Sequence, residues 1–332
     1  MDAVLTVMVE EKIGPGEQAL RLIQIAKENL GFDFCLSLRS PAIALAAALK
    51  LLQLERGSVA AVSALSPIYY IKVLEDLGLK PLFCDCGDSS PCISAETVKA
   101  AIERTEDKQS VRCIIVHHSL GYMSDMDALL ELGLPVIEDC STAAGSSFGE
   151  KKSGSFGTFT VLGLEERDML TAGGGALLYA KERRNGTVLR NAGTLPPEYG
   201  LADMNAAMAI VQFREVQKNI EKRKEYAELY LRSALMQGRH KVFYKPDNFE
   251  YNNYAFPLIL ETGMKDVAAY AKRKEIAVEN AFDGTAAAAG IVPQTECPAA
   301  CSLCLRTALF PIYPRLGGAN LKKIALLIQT LP

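Results

Sequence analysis

The sequence predicts an α/β fold, with a large domain built on a mostly parallel sheet flanked by helices and a smaller α+β domain after it. The main observation is a regular alternation of short apolar runs and helical patterns through the first half of the chain, which is typical of βαβ units. After Asp139 the pattern changes to strands that flank a polar connection. With 332 residues and 49% hydrophobic composition the chain can bury a large core, and its length suggests two domains.

The strands and helices of the first half follow each other in strict order. They are a strand at 34–38, a helix at 40–53, a strand at 59–63, a helix at 66–77, a strand at 81–85, a helix at 94–104, a strand at 113–118, a helix at 125–132 and a strand at 135–139. Ser40-Pro41 and Ser66-Pro67 each predict the start of a helix, because serine caps the first turn and proline fits the first helical position.

The second half of the chain predicts fewer strands and a long helix. The elements are strands at 156–164 and 174–180, a helix from Asp203 to about Met236, a strand at 254–260, a helix at 264–274, a strand at 276–280 and a helix at 320–331. Residues 238–253 look like a hinge region. We therefore predict a large domain at 1–200, and a long linking helix with the small α+β domain at 201–332.

Charge and composition exclude several classes of partner. A net charge of −3 and a pI near 5.8 provide no basic surface for nucleic acid or an acidic membrane. The N-terminus lacks the basic and apolar regions of a signal peptide, and no apolar run reaches the roughly 18 to 20 residues of a membrane span. The nine dispersed cysteines favour reduced thiols. We expect a cytoplasmic protein that binds a small molecule, with neither nucleic acid nor membrane as partner.

The sheet topology predicts where a ligand binds. In open parallel sheets, ligands lie beyond the carboxyl ends of the strands. Four segments are expected to meet there, at residues 38–42, 63–69, 117–122 and 139–143. The polar connection at 163–174 is expected beside them.

Several stretches of the chain match one protein family in the same order. They read GSVAAVSALSPIYYIKVLEDLGLKPLFCD from Gly57, HHSLGYMSDM, VIEDCSTAAG, GSFGTFTVLGLEERDMLTAGGGA, LRNAG at 189–193, AAMAIVQF at 206–213 and TALFPIYP at 307–314. On these residues the chain, from about Gly31 onward, resembles the DegT/StrS-type sugar aminotransferases, fold-type-I enzymes that use pyridoxal phosphate (PLP) on nucleotide-linked keto sugars. The resemblance implies a homodimer with the active site at the subunit boundary.

The resemblance also implies a lysine that forms an imine with the cofactor aldehyde and later moves the substrate proton. Counted from the GSFG stretch, this lysine falls on Asp168, and a shift of one residue would place Arg167 there. Neither side chain can form an imine, because a carboxylate is not an amine and a guanidinium stays protonated. The sequence has no lysine between Lys152 and Lys181. We therefore expect no covalently bound PLP and no ordinary transamination.

The residues at the phosphate end of the implied cofactor site are altered. Family members place Gly-Thr at the first helix start, where backbone N–H groups and a hydroxyl receive the phosphate, and here these positions are Pro41 and Ala42. Proline lacks the N–H and alanine lacks the hydroxyl. Ser40 and Arg39 remain candidates for holding an anion, the alternative being a helix cap and a surface arginine. The family serine before the lysine is Gly163.

The ring end of the implied site is partly retained. Asp139 matches the carboxylate that pairs with the pyridine nitrogen of the cofactor, the alternative being a residue that caps the turn after a strand. Thr142 replaces a glutamine or histidine contact. The stacking aromatic corresponds to Pro67, so Tyr69 or Tyr70 would have to reach over the ring, the alternative being a core tyrosine.

Two functional hypotheses follow from these residues. The first is a catalytically degenerate relative of the sugar aminotransferases that acts as a binding or regulatory protein for a sugar or nucleotide sugar. The second is an enzyme that uses unlinked pyridoxamine phosphate (PMP) or PLP on a nucleotide-linked keto sugar, with Asp168 as base. His118 matches a family histidine at a strand end in the crevice, where a catalytic role and simple hydrogen bonding are both open.

Two cysteine groups raise the question of a metal site. They are Cys84, Cys86 and Cys92 around a strand end, and Cys297, Cys301 and Cys304 in the stretch CPAACSLC. The second group has the CxxxCxxC spacing of radical-SAM iron–sulfur sites, but at helical spacing its thiols also form one face of a buried helix. The first group has no fourth ligand nearby in the sequence. We expect no metal at either group and leave the role of the second open.

Overall fold

The computed structural model describes residues 2–87, 89–191 and 195–332, so the end of the LRNAG stretch, at 192–193, lies outside the described residues. The helices are α1 (Asp2–Val9), α2 (Glu17–Leu30), α3 (Pro41–Leu51), α4 (Tyr69–Asp76), α5 (Ala95–Arg104), α6 (Met126–Leu130), α7 (Arg183–Arg190), α8 (Asp203–Gln237), α9 (Met264–Arg273), α10 (Pro298–Arg306) and α11 (Gly318–Gln329).

The strands run in the same chain order. They are β1 (Phe34–Leu38), β2 (Val59–Ser63), β3 (Lys80–Cys84), β4 (Val111–His117), β5 (Val136–Asp139), β6 (Ser147–Phe148), β7 (Lys151–Lys152), β8 (Phe159–Gly163), β9 (Ala176–Ala180), β10 (Phe249–Glu250), β11 (Phe256–Ile259), β12 (Glu279–Asn280) and β13 (Thr307–Phe310).

A seven-stranded sheet with the order β1-β9-β8-β5-β4-β2-β3 forms the centre of the fold. The pairs β2–β3, β2–β4, β4–β5 and β5–β8 are parallel, and the pairs β8–β9 and β1–β9 are antiparallel. Helices follow β2, β3 and β4, such as α4 between β2 and β3, because a parallel connection has to return along the sheet. The connection from β5 to β8 instead contains the short strands β6 and β7. The predicted α/β fold with a mostly parallel sheet is confirmed.

The large sheet is covered on both faces. Its strands β2, β5, β8 and β9 are buried along their whole length, which explains why they appear in the sequence as continuous apolar runs. Among the described residues, no helix combines the length and apolarity needed to cross a membrane.

A second, antiparallel sheet has the order β11-β13-β12. It packs with α9, α11 and the second half of α8 around a core that includes Tyr230, Phe256 and Phe310. The first half of α8 instead contributes Ile210 and Phe213 to a core formed with the large sheet. The 35-residue helix α8 therefore belongs to both cores. The division into domains at residues 1–200 and 201–332 stays a prediction.

The two Ser-Pro helix starts have different outcomes. Ser40 caps α3 as predicted, with its Oγ accepting a backbone N–H of the first turn at 3.3 Å. The helix start predicted at Ser66 is wrong, because α4 begins only at Tyr69 and has no side-chain cap. Instead of starting a helix, Ser66 forms a backbone hydrogen bond with a distant segment, in which the Ala286 N–H donates to the Ser66 carbonyl at 3.0 Å. A pairing between segments so distant in the chain has no local signal.

The sequence does not predict α1, α2, α7 or β13, and α2 shows why. No neighbouring side chain caps its start. The cap comes instead from Asp203 at the start of α8, whose carboxylate accepts the backbone N–H groups of Gly16, Gln18 and Ala19 at 2.9, 3.1 and 2.9 Å. Asp203 is 4% exposed, so water could not replace its carboxylate for these donors.

Replacing Asp203 with alanine is expected to destabilise the protein by about 2 kcal/mol. The reason is that three backbone N–H groups, which are shielded from water, lose the carboxylate that accepts their hydrogen bonds. Asp203→Asn, which keeps one acceptor oxygen, is expected to lose less. The measurement is the urea midpoint of unfolding. Asp125→Ala is the matched control, since Asp125 caps α6 through one exposed bond from the Ala128 N–H at 3.1 Å and should cost about 1 kcal/mol or less. Equal losses in the two alanine variants would contradict this role of Asp203.

Candidate active site

The carboxyl ends of β4, β5 and β8 border a cavity of about 1500 Å³. His117, Asp139, Ser141 and Asp168 line it, and the sheet register sets His117 of β4 beside Asp139 of β5. Each of the four segments expected from the topology contributes lining residues, and so does the connection at 163–174. The cavity is therefore built where parallel-sheet topology places ligand sites.

The carboxylate of Asp139 lies at the centre of a hydrogen-bond network and is 3% exposed. Its Oδ2 accepts the phenol O–H groups of Tyr70 and Tyr69, the latter at 3.3 Å. Its Oδ1 accepts the backbone N–H of Ser141 at 2.9 Å and the Ser141 hydroxyl. Burial alone would raise the pKa of Asp139, but the interactions with His117, Ser141 and Tyr70 outweigh it and lower the pKa to about 2.

Asp168 is half-buried on the cavity wall. Its Oδ2 accepts the backbone N–H of Glu165 at 2.7 Å, and its carboxylate packs against Gly163, where a Cβ would overlap it. Burial is the main reason that the pKa of Asp168 is raised to about 7, and the negative charges of Asp139 and Glu165 raise it further. The Glu165 N–H and His117 act in the opposite direction. No lysine or arginine of the described residues forms an ion pair with Asp168.

Ser141 connects the two carboxylate regions and is not among the residues that the sequence analysis selects. Its hydroxyl donates to Asp139 and accepts the backbone N–H of Gly163 at 2.7 Å. Its carbonyl accepts the N–H of Met169 at 3.1 Å. One serine thus fixes β5, the end of β8 and the segment that carries Asp168.

The prediction that His118 faces the crevice is wrong. Its ring is completely buried, and its Nε2 donates to Glu138 at 3.1 Å while its Nδ1 accepts the Ser124 N–H at 3.4 Å. Consecutive residues at a strand end point to opposite faces of the sheet, so His117 rather than His118 lines the cavity. A catalytic role for His118 through direct contact with a ligand is excluded by this position.

Glu138, the partner of His118, orders the GSFG loop from within the core. Its carboxylate accepts the N–H groups of Gly154, Phe156 and Gly157 at 2.6, 2.9 and 2.9 Å. Burial alone would raise the pKa of Glu138, but the hydrogen bond from His118 and the backbone N–H donors lower it below its usual value. This network lies behind the cavity wall and supports it.

The candidate cofactor-binding residues Tyr69 and Thr142 both line the cavity. Tyr69 is half-buried and reaches Asp139 with its hydroxyl. The Thr142 hydroxyl donates to the His118 carbonyl at 2.6 Å and accepts the Gly121 N–H at 3.2 Å. The hydroxyls of both residues are thus engaged within the protein.

The candidate anion-binding residues lie apart from these two. Ser40 caps α3, and Arg39 is an exposed residue whose N–H donates to the carbonyl of Tyr199 at 2.8 Å. Neither is among the described residues that line the cavity, whereas Pro41 is. The structure therefore brings together Asp168, Asp139, Tyr69 and Thr142 and leaves Ser40 and Arg39 outside.

Several residues that line the cavity also connect the large-sheet part of the chain to the small sheet. Arg167 pairs with Glu279 of β12 at 3.1 Å, and the Tyr254 hydroxyl donates to the Arg167 carbonyl. Arg223 of α8 donates to the carbonyls of Tyr254 and Ile312 at 2.6 and 2.7 Å. The segment that carries Asp168 is therefore tied to the small sheet.

The two cysteine groups approach each other around Asp85. Its carboxylate accepts the N–H groups of Ala299 and Ala300, at the start of α10, at 3.0 and 2.8 Å. Burial raises the pKa of Cys84 to about 12, with Cys297 contributing further, so this thiol stays protonated at neutral pH. Within the described part of the chain, no group of three or more histidine, cysteine or acidic residues has an arrangement that could hold a metal ion.

Curated relatives of the chain include aminotransferases and a GDP-perosamine synthase. L-glutamine:2-deoxy-scyllo-inosose aminotransferase from Streptomyces lividus is 28% identical over 210 residues, covering 59% of the chain and 48% of that protein. GDP-perosamine synthase from Vibrio cholerae is 24% identical over 233 residues, covering 64% and 60%. The chain thus spans about half the length of the curated relatives it matches.

Solved structures show the same fold. Aminotransferase TlmJ from Streptoalloteichus hindustanus has a TM-score of 0.88 at 18% identity, covering 99% of the chain and 94% of that structure. Spr1654 from Streptococcus pneumoniae in its PLP form has a TM-score of 0.87 at 16% identity, covering 100% and 96%. A PMP form of the latter has also been solved.

The match to a family extends over nearly the whole chain. Residues 1–329 fit the family described as DegT/DnrJ/EryC1/StrS aminotransferases, which agrees with the resemblance found in the sequence. The chain belongs to the DegT/DnrJ/EryC1/StrS aminotransferase family.

Proposed function

We propose that this protein binds a carbohydrate in the cavity at the carboxyl ends of β4, β5 and β8, and that it does not carry out transamination through a lysine-linked cofactor. The observation that supports this most is Asp168, a carboxylate on the cavity wall where the family resemblance implies the imine-forming lysine. The relatives named above act on inososes or make a nucleotide-linked amino sugar, which supports a carbohydrate as the ligand class.

The lysines around the cavity do not replace the missing one. Those that line it are Lys218 and Lys222 of α8 and Lys323 of α11. Their ammonium groups pair with Glu215, Glu225 and Glu275 at 3.2, 2.6 and 3.3 Å. All three side chains are at least 44% exposed, and all three lie on helices away from the 163–174 connection that the family resemblance assigns to the lysine.

The cavity floor does not fit the pyridine ring of PLP. An ionised carboxylate offers about four lone-pair positions for hydrogen bonds, and Asp139 already receives four donors from Tyr69, Tyr70 and Ser141. A pyridine N–H would have to displace one of them. The side chains of the protein itself thus occupy the position that the resemblance assigns to the ring nitrogen.

The start of α3 does not fit the phosphate either. Pro41 has no N–H, and the Ser40 hydroxyl oxygen is engaged as the helix cap. Asp139 and Asp168 line the same cavity and would repel an anion. The cavity thus lacks a free acceptor for the pyridine N–H and backbone donors for the phosphate. We therefore assign no reaction step to the cofactor.

An enzyme that uses unlinked PMP or PLP, with Asp168 as base, is the second candidate. It is favoured by one observation, since a carboxylate whose pKa is about 7 can accept a proton near neutral pH. It requires the cofactor contacts that the cavity lacks. A homodimer, a sugar nucleotide as the specific ligand and a regulatory role likewise stay predictions.

Titration of the purified protein with PLP, followed by borohydride reduction and mass analysis, tests both candidates. We expect no adduct, because Asp168 stands where the resemblance implies the imine-forming lysine. We expect no saturable change in absorbance, because Asp139 has no free oxygen lone pair for the pyridine N–H. An adduct at one lysine would overturn the proposed function and restore a lysine-linked enzyme. Saturable absorbance without an adduct would favour the second candidate, whose turnover would then be lost in Asp168→Asn.

Asp168→Asn is expected to stabilise the protein by about 1–2 kcal/mol at pH 8. The folded state raises the pKa of Asp168 to about 7, so ionisation of this group opposes folding increasingly as the pH rises from about 4 to 7. The difference in unfolding free energy between Asp168→Asn and wild type should therefore shrink as the pH is lowered to 5. Urea unfolding at both pH values measures this gain, with Asp76→Asn as control, because Asp76 is exposed and, among the described residues, forms its ion pair with Lys72 at 2.8 Å. A variant less stable than wild type at pH 8 would contradict this account.

A further inference from the structure

One cysteine of the chain is accessible to solvent. The structure describes all nine cysteines, of which Cys301 is half-buried and the other eight are buried. A reagent in solution therefore reaches the Cys301 thiol first. Cys301 lies in α10, three residues before Cys304, in the stretch CSLC. This CxxC spacing is typical of thiol pairs that interconvert with a disulfide.

Helix geometry places Cys301 and Cys304 within reach of each other. Residues three apart in an α-helix have Cα atoms about 5 Å apart, inside the range of about 4.4 to 6.8 Å found in disulfides. Burial raises the pKa of Cys304 to about 11, and a negative charge on Cys301 would raise it further. Burial also raises the pKa of Cys301. Both side chains are therefore stable as thiols at neutral pH, and their oxidation is slow.

Cys297, the third cysteine of the stretch, differs from these two. It is fully buried and precedes α10 with a non-helical backbone, at φ −132° and ψ 61°. The side-chain spacing of a helix therefore does not apply between Cys297 and Cys301. The pair that the helix brings together is Cys301 and Cys304.

Cys304 contacts the wall of the cavity from behind. Its Sγ lies 3.9 Å from the hydroxyl oxygen of Thr285, and its carbonyl accepts a side-chain N–H of Asn280. Asn280 and Thr285 both line the cavity, together with the residues between them, and we call residues 280–285 the wall segment. The last turn of α10 thus helps to hold the wall segment in place.

We propose that Cys301 and Cys304 form a redox site, which a small-molecule disulfide such as oxidised glutathione converts to an intramolecular disulfide, and that this oxidation loosens the wall segment. The Cys301 thiolate attacks one sulfur of oxidised glutathione, which forms a mixed disulfide and releases one glutathione thiolate. The Cys304 thiolate then attacks the Cys301 sulfur and releases the second. The released thiolates take up the two protons that the cysteines lose, so two protein thiols are oxidised and one disulfide is reduced to two glutathione thiols.

The disulfide and the helix cannot both keep their ordinary geometry. The Cβ atoms of residues three apart in a helix are about 5–6 Å apart, whereas a disulfide holds its two Cβ atoms about 3.8 Å apart. The last turn of α10 must therefore change when the disulfide forms. Because Cys304 lies in that turn, its contacts with Asn280 and Thr285 change as well.

Thiol counting and peptide mapping after incubation of the native protein with oxidised glutathione at pH 8 test the site. The count after denaturation should fall from nine thiols to seven, with the new disulfide mapped to Cys301 and Cys304. Cys304→Ala should instead retain glutathione on Cys301, because the thiol that displaces it is missing. Cys297→Ala is the matched control from the same stretch and should still form the disulfide. An unchanged thiol count in wild type, or a disulfide that maps to Cys297, would overturn the proposal.

Hydrogen exchange measures the effect of oxidation on the wall segment. Backbone amides of residues 280–285 should exchange roughly fivefold faster in oxidised than in reduced wild type, as the loss of one hydrogen bond predicts. Cys301→Ala treated in the same way lacks the accessible thiol and should exchange at the rate of reduced wild type. Equal rates in oxidised and reduced wild type would also overturn the proposal. These measurements involve neither PLP nor a cavity ligand, so their outcome is independent of the proposed function.

Discussion

The ionised carboxylate of Asp139 determines how the cavity floor is arranged. Taking it out of water is costly unless its oxygens are paired, and the fold supplies four donors from α4 and from the turn after β5. Those donors in turn fix Tyr69, Tyr70 and Ser141. Ser141 then positions Gly163 and the segment that carries Asp168. The negative charge of Asp139 also adds to the effect of burial, which is the main reason that the pKa of Asp168 is raised to about 7.

Much of the fold could be predicted because its signals are local. Apolar runs give β2, β5, β8 and β9, and the Ser-Pro cap gives the start of α3. The start of α4 and the presence of α2 could not be predicted, since they depend on Ala286 and on Asp203 respectively. These partners lie far away in the chain, and no pattern near Ser66 or Gly16 points to them.

The candidate site was predictable in position but only partly in detail. Topology and family resemblance together select Asp139 and Asp168, and both line the cavity. The choice of His118 over His117 failed because two adjacent histidines at a strand end cannot be told apart by pattern, although they face opposite sides of the sheet. Ser141 went unselected because its role depends on a contact with Gly163, which only the folded chain creates.

The contact between Gly163 and Asp168 limits which side chains this part of the cavity wall can hold. A side chain at 163 would overlap both the Asp168 carboxylate and the Ser141 hydroxyl, so the space for Asp168 exists only while 163 is glycine. A serine at 163 would therefore move the Asp168 carboxylate or the Ser141 hydroxyl, and with them the hydrogen bonds that join β5 to the segment carrying Asp168. The size of residue 163 and the position of the carboxylate at 168 are thus set together.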